Sequence, residues 1–179
     1  MEIALFLILA AAPAGPSKAP AEPEPIRYSE VVDVPGATQQ ELYSRAELWF
    51  AEAFQSANDV LQLEDESEGR LVAKAAIWYE PKSMIGSDGI RGPIRFMGKV
   101  SAKDGRFKYE FSEFVHEGTQ AGFGLITTSA AAPKIIWGSG KGWREKKWNE
   151  IKATIDAHVA LLIVSLKAAM GGSAADDDW

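Results

Sequence analysis

Cysteine is absent from the 179 residues. Disulfides, thiolate zinc sites, a cysteine nucleophile and a lipidated cysteine anchor are therefore excluded. Histidine is scarce: His116 and His158 stand far apart, and neither lies in HExxH spacing. The default for both is a solvated or locally hydrogen-bonded side chain. No GxSxG elbow occurs beside Thr127–Ser129. Gly86, Gly89 and Gly92 recur every third residue in Pro81–Pro93, but that spacing fits no nucleotide fingerprint. The sequence thus assigns no catalytic residue, no metal and no cofactor. Positive charge is also short. The net charge of −6 argues against a general binder of polyanions, and hence against nucleic acid. The apolar run Ile3–Ala12 falls short of the ~20 residues of a membrane span.

What is present suffices for one domain, with 46% hydrophobic residues. Ile3–Ala12 has the length of a signal-peptide core, and Ala12-Pro13-Ala14 offers small residues for cleavage. The leading Met1-Glu2 lacks the usual Lys or Arg. Residues 1–14 read as a signal peptide, leaving no mature transmembrane helix and an exported protein, periplasmic or extracellular. Residues 15–25, with Pro16, Pro20, Pro23 and Pro25, read as a linker. Residues 26–170 form a single domain, and 171–179 an acidic, frayed tail.

Within the domain, Ile26–Val34 predicts a first strand ending at Pro35. Thr38–Asp59 predicts a helix with a Thr38–Glu41 capping box and an exit turn at Ser56–Asp59. Its apolar stripe is Leu42, Ala46, Trp49, Phe50 and Ala53. Val60–Glu80 predicts a hairpin. A three-residue loop Ser67–Gly69 would set Glu66 opposite Arg70, Leu63 opposite Ala73 and Leu61 opposite Ala75. A two-residue loop would instead set Leu63 opposite Val72 and Leu61 opposite Lys74.

Ile94–Ala102 and Arg106–Val115 predict a second hairpin around a type I′ turn at Asp104-Gly105. Its pairs are Ala102 with Phe107, Val100 with Tyr109, Gly98 with Phe111, and Lys99 with Glu110. Glu117–Gly142 predicts only a short piece, Ile135–Trp137, as an edge strand or plug. Trp143–Met170 predicts a long helix with the stripe Trp148, Ile151, Ile155, Val159, Leu162 and Leu166. Val159–Leu166 is apolar on more than one side, which predicts a second contact.

Strand alternation divides the sheet into two faces. Leu71, Ala73, Ala75, Ile77, Ile94, Phe96, Val100, Phe107, Tyr109 and Phe111 share the side that the helices would cover. Lys74, Trp78, Arg95, Met97, Lys99, Lys108 and Glu110 share the other, basic with two large apolar members. Glu110 and Glu113 are three apart and should point to opposite faces.

Three blocks carry a resemblance: ELYSRAELWFAEAFQSANDVLQLEDESEG, KDGRFKYEFSEFVHEG and KKWNEIKATIDAHVALLIVSLKAAM. Together, in this order, they resemble a bacterial family catalogued as domain of unknown function 4468, described as having a TBP-like fold. The resemblance covers about Arg27 to Met170. It implies an α+β fold, a curved antiparallel sheet packed on one face by an N-terminal helix and a long C-terminal helix. It implies export but no activity, and the fold name carries no DNA binding. The expectation is an exported, non-enzymatic binding module of the cell envelope. Its outward patch of Lys74, Trp78, Arg95, Met97, Lys99 and Lys108 would bind an envelope protein or acidic ligand. The alternatives are a carrier of a small apolar ligand between sheet and last helix, or a hydrolase.

Overall fold

The structure is a computed structural model that describes residues 22–54, 61–82, 87–136 and 140–171. The predicted signal segment, most of the predicted linker, the predicted exit turn at Ser56–Asp59, Trp137 and the acidic residues beyond Gly171 lie outside the described residues. The elements in order are β1 (Tyr28–Asp33), α1 (Gln39–Ala53), β2 (Leu61–Asp65), β3 (Arg70–Tyr79), a short 3₁₀ turn Asp88–Ile90, β4 (Gly92–Lys103), β5 (Arg106–His116), β6 (Gly124–Leu125) and α2 (Lys141–Gly171). The strands form one antiparallel sheet in the order β1-β5-β4-β3-β2, and β6 pairs with the end of β5. This is the expected α+β architecture, with both helices on one face.

Helix α1 starts where Thr38 closes a reciprocal capping box. Its hydroxyl accepts the Glu41 amide at 3.3 Å, while its own amide donates to the Glu41 carboxylate at 2.7 Å. Leu42, Tyr43, Ala46, Trp49 and Phe50 are buried, whereas Ala53, expected in the stripe, is exposed. The helix comes close to β4 because Gly98 has no side chain. A Cβ there would stand 3.4 Å from the Phe111 ring and 3.5 Å from Phe50. Helix α2 buries Lys147, Trp148, Ile151, Ile155, Val159, Leu166 and Met170. It is tied to α1 by the Trp49 indole, which donates to Ser165 Oγ at 3.0 Å. Arg45 also donates to the Met170 carbonyl at 3.0 Å, satisfying one of the orphan acceptors at the end of α2. By length and composition α2 could cross a membrane. Its buried stripe packs on the sheet and α1. Val159–Leu166 touches more than one neighbour: Ser165 takes the Trp49 indole of α1 and Leu162 packs against the core, while Leu161 and Val164 stay exposed.

The β4–β5 hairpin has the predicted register from Gly98–Phe111 to Ala102–Phe107. Its turn is not type I′, which needs positive φ at both central residues. Only Gly105 has it, at +74°, and Asp104 does not. Asp104 Oδ1 accepts the Gln39 amide at 2.8 Å, and Gly105 exchanges backbone bonds with Val34 and Ala37. The turn therefore serves as the seat of the α1 N-terminus, and that docking selects its shape.

The preferred β2–β3 register is overturned. Asp65 pairs with Arg70, Leu63 with Val72 and Leu61 with Ala73, across a bulge between Leu61 and Leu63. The loop is four residues long because the Asp65 carboxylate folds over it. That carboxylate accepts from Ser67 Oγ at 2.8 Å and from the Glu68 amide at 3.1 Å. The end of the presumed linker belongs to the fold. Pro25 bridges to Thr127, and Ile26 donates to the Ile126 carbonyl at 3.1 Å. Ile135 packs half-buried against the core without forming a strand, and Ile136 is fully exposed.

Candidate functional site

The inner face of the sheet is filled by aromatic rings. Phe96 stacks on Phe114 at 5.3 Å, and Phe111 meets both Phe96 and Trp49. Among the described residues, the outward face of β3–β5 carries no helix. On it lies an open depression of about 540 Å³, lined by Lys74, Ala76, Arg95, Met97, Glu113 and Val115 among others.

Three of the six predicted patch residues, Lys74, Arg95 and Met97, meet there. The other three do not. Lys99 is half-buried and pairs with Glu110 at 3.7 Å, as the register predicts. Lys108 lies in a separate hollow of about 240 Å³ with Val31 and Phe107. Trp78, 59% exposed, lines a groove of about 400 Å³ at the β3 edge with Phe54, His158, Leu161 and Leu162. Nor is the depression simply basic. Arg95 donates to the Glu117 carboxylate at 2.7 Å. Glu110 takes Arg27 at 3.8 Å, Lys99, and the Ser112 hydroxyl at 3.1 Å.

Glu113 corrects the expectation for the carboxylates. Met97 pairs with Ser112, but Arg95 pairs with Val115, so β5 carries one extra residue. Glu113 takes it up at φ +58°, the one non-glycine with positive φ among the described residues. That conformation costs about 1–2 kcal/mol for a residue with a Cβ. The bulge reverses the alternation: Phe111 and Phe114 are both buried, and Glu113 emerges on the same side as Glu110. A signal existed in the sequence. Tyr109, Phe111, Phe114 and His116 are spaced two, three and two apart, and a strand can bury all four only by slipping one residue.

Away from this face, His116 is 1% exposed. Its Nδ1 accepts the Phe123 amide at 3.1 Å, which leaves Nε2 to donate to the Ile90 carbonyl at 2.9 Å. Burial lowers its pKa below the ordinary histidine value, against the opposing pull of the Ile90 carbonyl and Glu117. His116 is thus a neutral clasp between the 3₁₀ turn and the segment after β5. His158 is exposed and bonds the Thr154 carbonyl of its own helix at 2.8 Å.

Two further carboxylates do structural work. Burial would raise the pKa of Glu150, but the Lys82 amide at 2.6 Å and the Lys147 ammonium at 2.9 Å bring it below the ordinary range. Glu30 receives Lys167 at 2.7 Å and the Tyr109 hydroxyl at 2.8 Å, joining β1, β5 and α2. Burial and then Glu30 push Tyr109 up to about 12. Tyr28 is hydrogen-bonded to Asp156 of α2. Among the described residues, no group of three His, Asp or Glu side chains is placed to hold a metal.

Residues 28–117 match the family described as domain of unknown function (DUF4468) with TBP-like fold. Among solved structures, the chain is similar to a DUF4468 family protein from Bacteroides ovatus, at 18% identity and a TM-score of 0.50. That likeness covers 84% of this chain and 89% of the other. It is also similar to a TBP-like protein from Parabacteroides distasonis, at 11% identity and a TM-score of 0.50, over 80% and 93% of the two chains. Both likenesses concern the fold. No curated protein matches the chain.

Proposed function

The chain belongs to the DUF4468 family with its TBP-like fold, and from that premise we propose that it is an exported, non-catalytic binding module of the cell envelope, engaging an acidic partner through its outward sheet face. One observation carries the reading: both helices lie on the inner face, and the outward face, which no described helix covers, holds a depression of about 540 Å³. Lys74 in that depression and Lys108 beyond it have no ion-pair partner among the described residues. Unpaired ammonium groups can meet a carboxylate without first breaking an internal bridge, which favours fast, charge-guided association. Met97 and the exposed Trp78 add apolar contact area. Export rests on the Ile3–Ala12 run and the small residues that follow it.

The test is a photoreactive residue at position 97, with crosslinked partners from the envelope mapped by mass spectrometry. Crosslinks to acidic segments that vanish in Lys74→Glu/Lys108→Glu, at an unchanged melting temperature, are expected. Crosslinks that survive the double reversal would reduce the face to solvated surface. Intact mass from the native host should begin near Gly15; a mass retaining Met1–Ala14 would overturn export.

A second reading, an apolar-ligand carrier, is favoured by the edge groove of about 400 Å³ between Phe54, Ile77, Phe96, Leu161 and Leu162. An environment-sensitive apolar dye displaced by Leu161→Glu would support it; a dye unaffected by that change would not.

A further inference from the structure

The outward depression contains two uncompensated charges of opposite sign. Lys74 and Glu113 are both exposed, and neither has an ion-pair partner among the described residues. Their neighbours are already satisfied: Arg95 by Glu117, and Glu110 by Arg27 and Lys99. The register fixes the spacing of their backbone positions. Lys74 stands opposite Met97, and Met97 stands opposite Ser112, beside the bulged Glu113. The backbone positions of Lys74 and Glu113 therefore flank Met97 across two strand spacings, about 10 Å apart. The two residues form no ion pair with each other, and Met97 lies between them, beside Arg95, which Glu117 already holds.

Glu113 is also an expensive choice for its position. At φ +58° a glycine would fold with less strain. The backbone there gains nothing from a carboxylate, since Glu113 makes no hydrogen bond with other described residues. Strain of this kind, set beside an unpaired cation in a depression, has a direct account in ligand recognition.

We propose that the depression binds a short peptide with free termini, lying across the strands. Its ammonium meets Glu113, its carboxylate meets Lys74, and its side chains cover Met97. An extended tripeptide spans about 10 Å, the spacing of the two backbone positions, so the flexible Lys74 and Glu113 side chains can both reach its ends. The inference rests on the outward face being the binding surface, and it names what occupies the part of that face next to the bulge.

Calorimetric titration with tri-alanine, N-acetyl-tri-alanine and tri-alanine amide tests it on the full chain. Free tri-alanine is expected to bind, with each single block weakening binding at least tenfold. In Glu113→Gly the free and acetylated peptides should bind equally, while the denaturation midpoint rises relative to the parent. In Lys74→Ala the free and amidated peptides should bind equally. A doubly blocked tripeptide that binds as well as the free one would overturn the proposal. So would the absence of binding at millimolar tri-alanine. If tri-alanine fails while Lys74→Glu/Lys108→Glu still abolishes crosslinking to acidic partners, the face stands and the peptide falls; if both fail, the face itself is wrong.

Discussion

The two faces of the sheet obey different rules. On the inner face, Phe107, Tyr109, Phe111, Phe96 and Phe114 form a run of ring contacts, and Phe111 also meets Trp49 of α1, so the positions constrain one another. On the outer face the constraints are pairwise: Lys99 answers Glu110, and Arg95 answers Glu117. The inner face is a packing problem, and the outer face is a charge problem that leaves Lys74, Lys108 and Glu113 without partners among the described residues. Stability is therefore concentrated on one side and freedom to bind on the other.

The sharpest way to break this contrast is to truncate one residue from each side of the same strand. Phe96→Ala should cost about 3–5 kcal/mol of stability, while Met97→Ala, one residue later and half-buried on the outward face, should cost less than about 1 kcal/mol. Urea denaturation of both variants measures the difference; equal losses would mean that the outer face is part of the core. Next in size is Gly105→Val. A β-branched residue at φ +74° should lose about 1–2 kcal/mol, although no atom lies within 4 Å of an added Cβ. A smaller loss, seen as an unchanged urea midpoint, would mean that the turn can rearrange without unseating α1.

The third prediction concerns pH. His116 has a lowered pKa in the fold, so the unfolded chain binds the extra proton first as pH falls. Its contribution to stability is complete above the ordinary histidine value of about 6.5 and declines below it, by at most about 1.4 kcal/mol per pH unit. The decline ends once pH drops through the folded value. The lowered carboxylates Glu30, Glu41, Asp65 and Glu150 lose their contributions only at still lower pH. Melting temperatures between pH 7 and 5 should therefore slope downward in the parent and be flatter in His116→Gln. Parallel slopes would assign the effect to another group.

Much of the inner face was legible because burial leaves a strong pattern. The capping box at Thr38, the Ala102–Phe107 end of the hairpin and the stripe of α2 all follow from local spacing. What escaped depends on contacts between distant segments or on a slip in phase. The Asp65 turn displaced the β2 register, and the bulge at Glu113 turned a carboxylate to the unexpected side. The segment after β5 has little periodicity because its place is set by single bonds, such as those of Gln120 and Ala121 to the Gly89 carbonyl. Strand alternation marks the patch as a face, but alternation alone makes its residues one group. Only the register shows that Lys74, Arg95 and Met97 share a depression while Lys108 and Trp78 lie elsewhere.

The entry of the chain into the fold has a mechanical consequence. Glu24, Pro25 and Ile26 are laced to Thr128, Thr127 and Ile126 by a few backbone bonds, and the chain then continues into β1 at the edge of the sheet. A pull applied from the N-terminal side would load those bonds before any part of the aromatic core. With β1 peeled outward they would give way one after another, like a zipper. Such a domain would yield in two stages under tension, releasing its first strand at low force while β3, β4 and β5 stay together. Single-molecule pulling from residue 22 would show that early step as a short extension ahead of the main rupture.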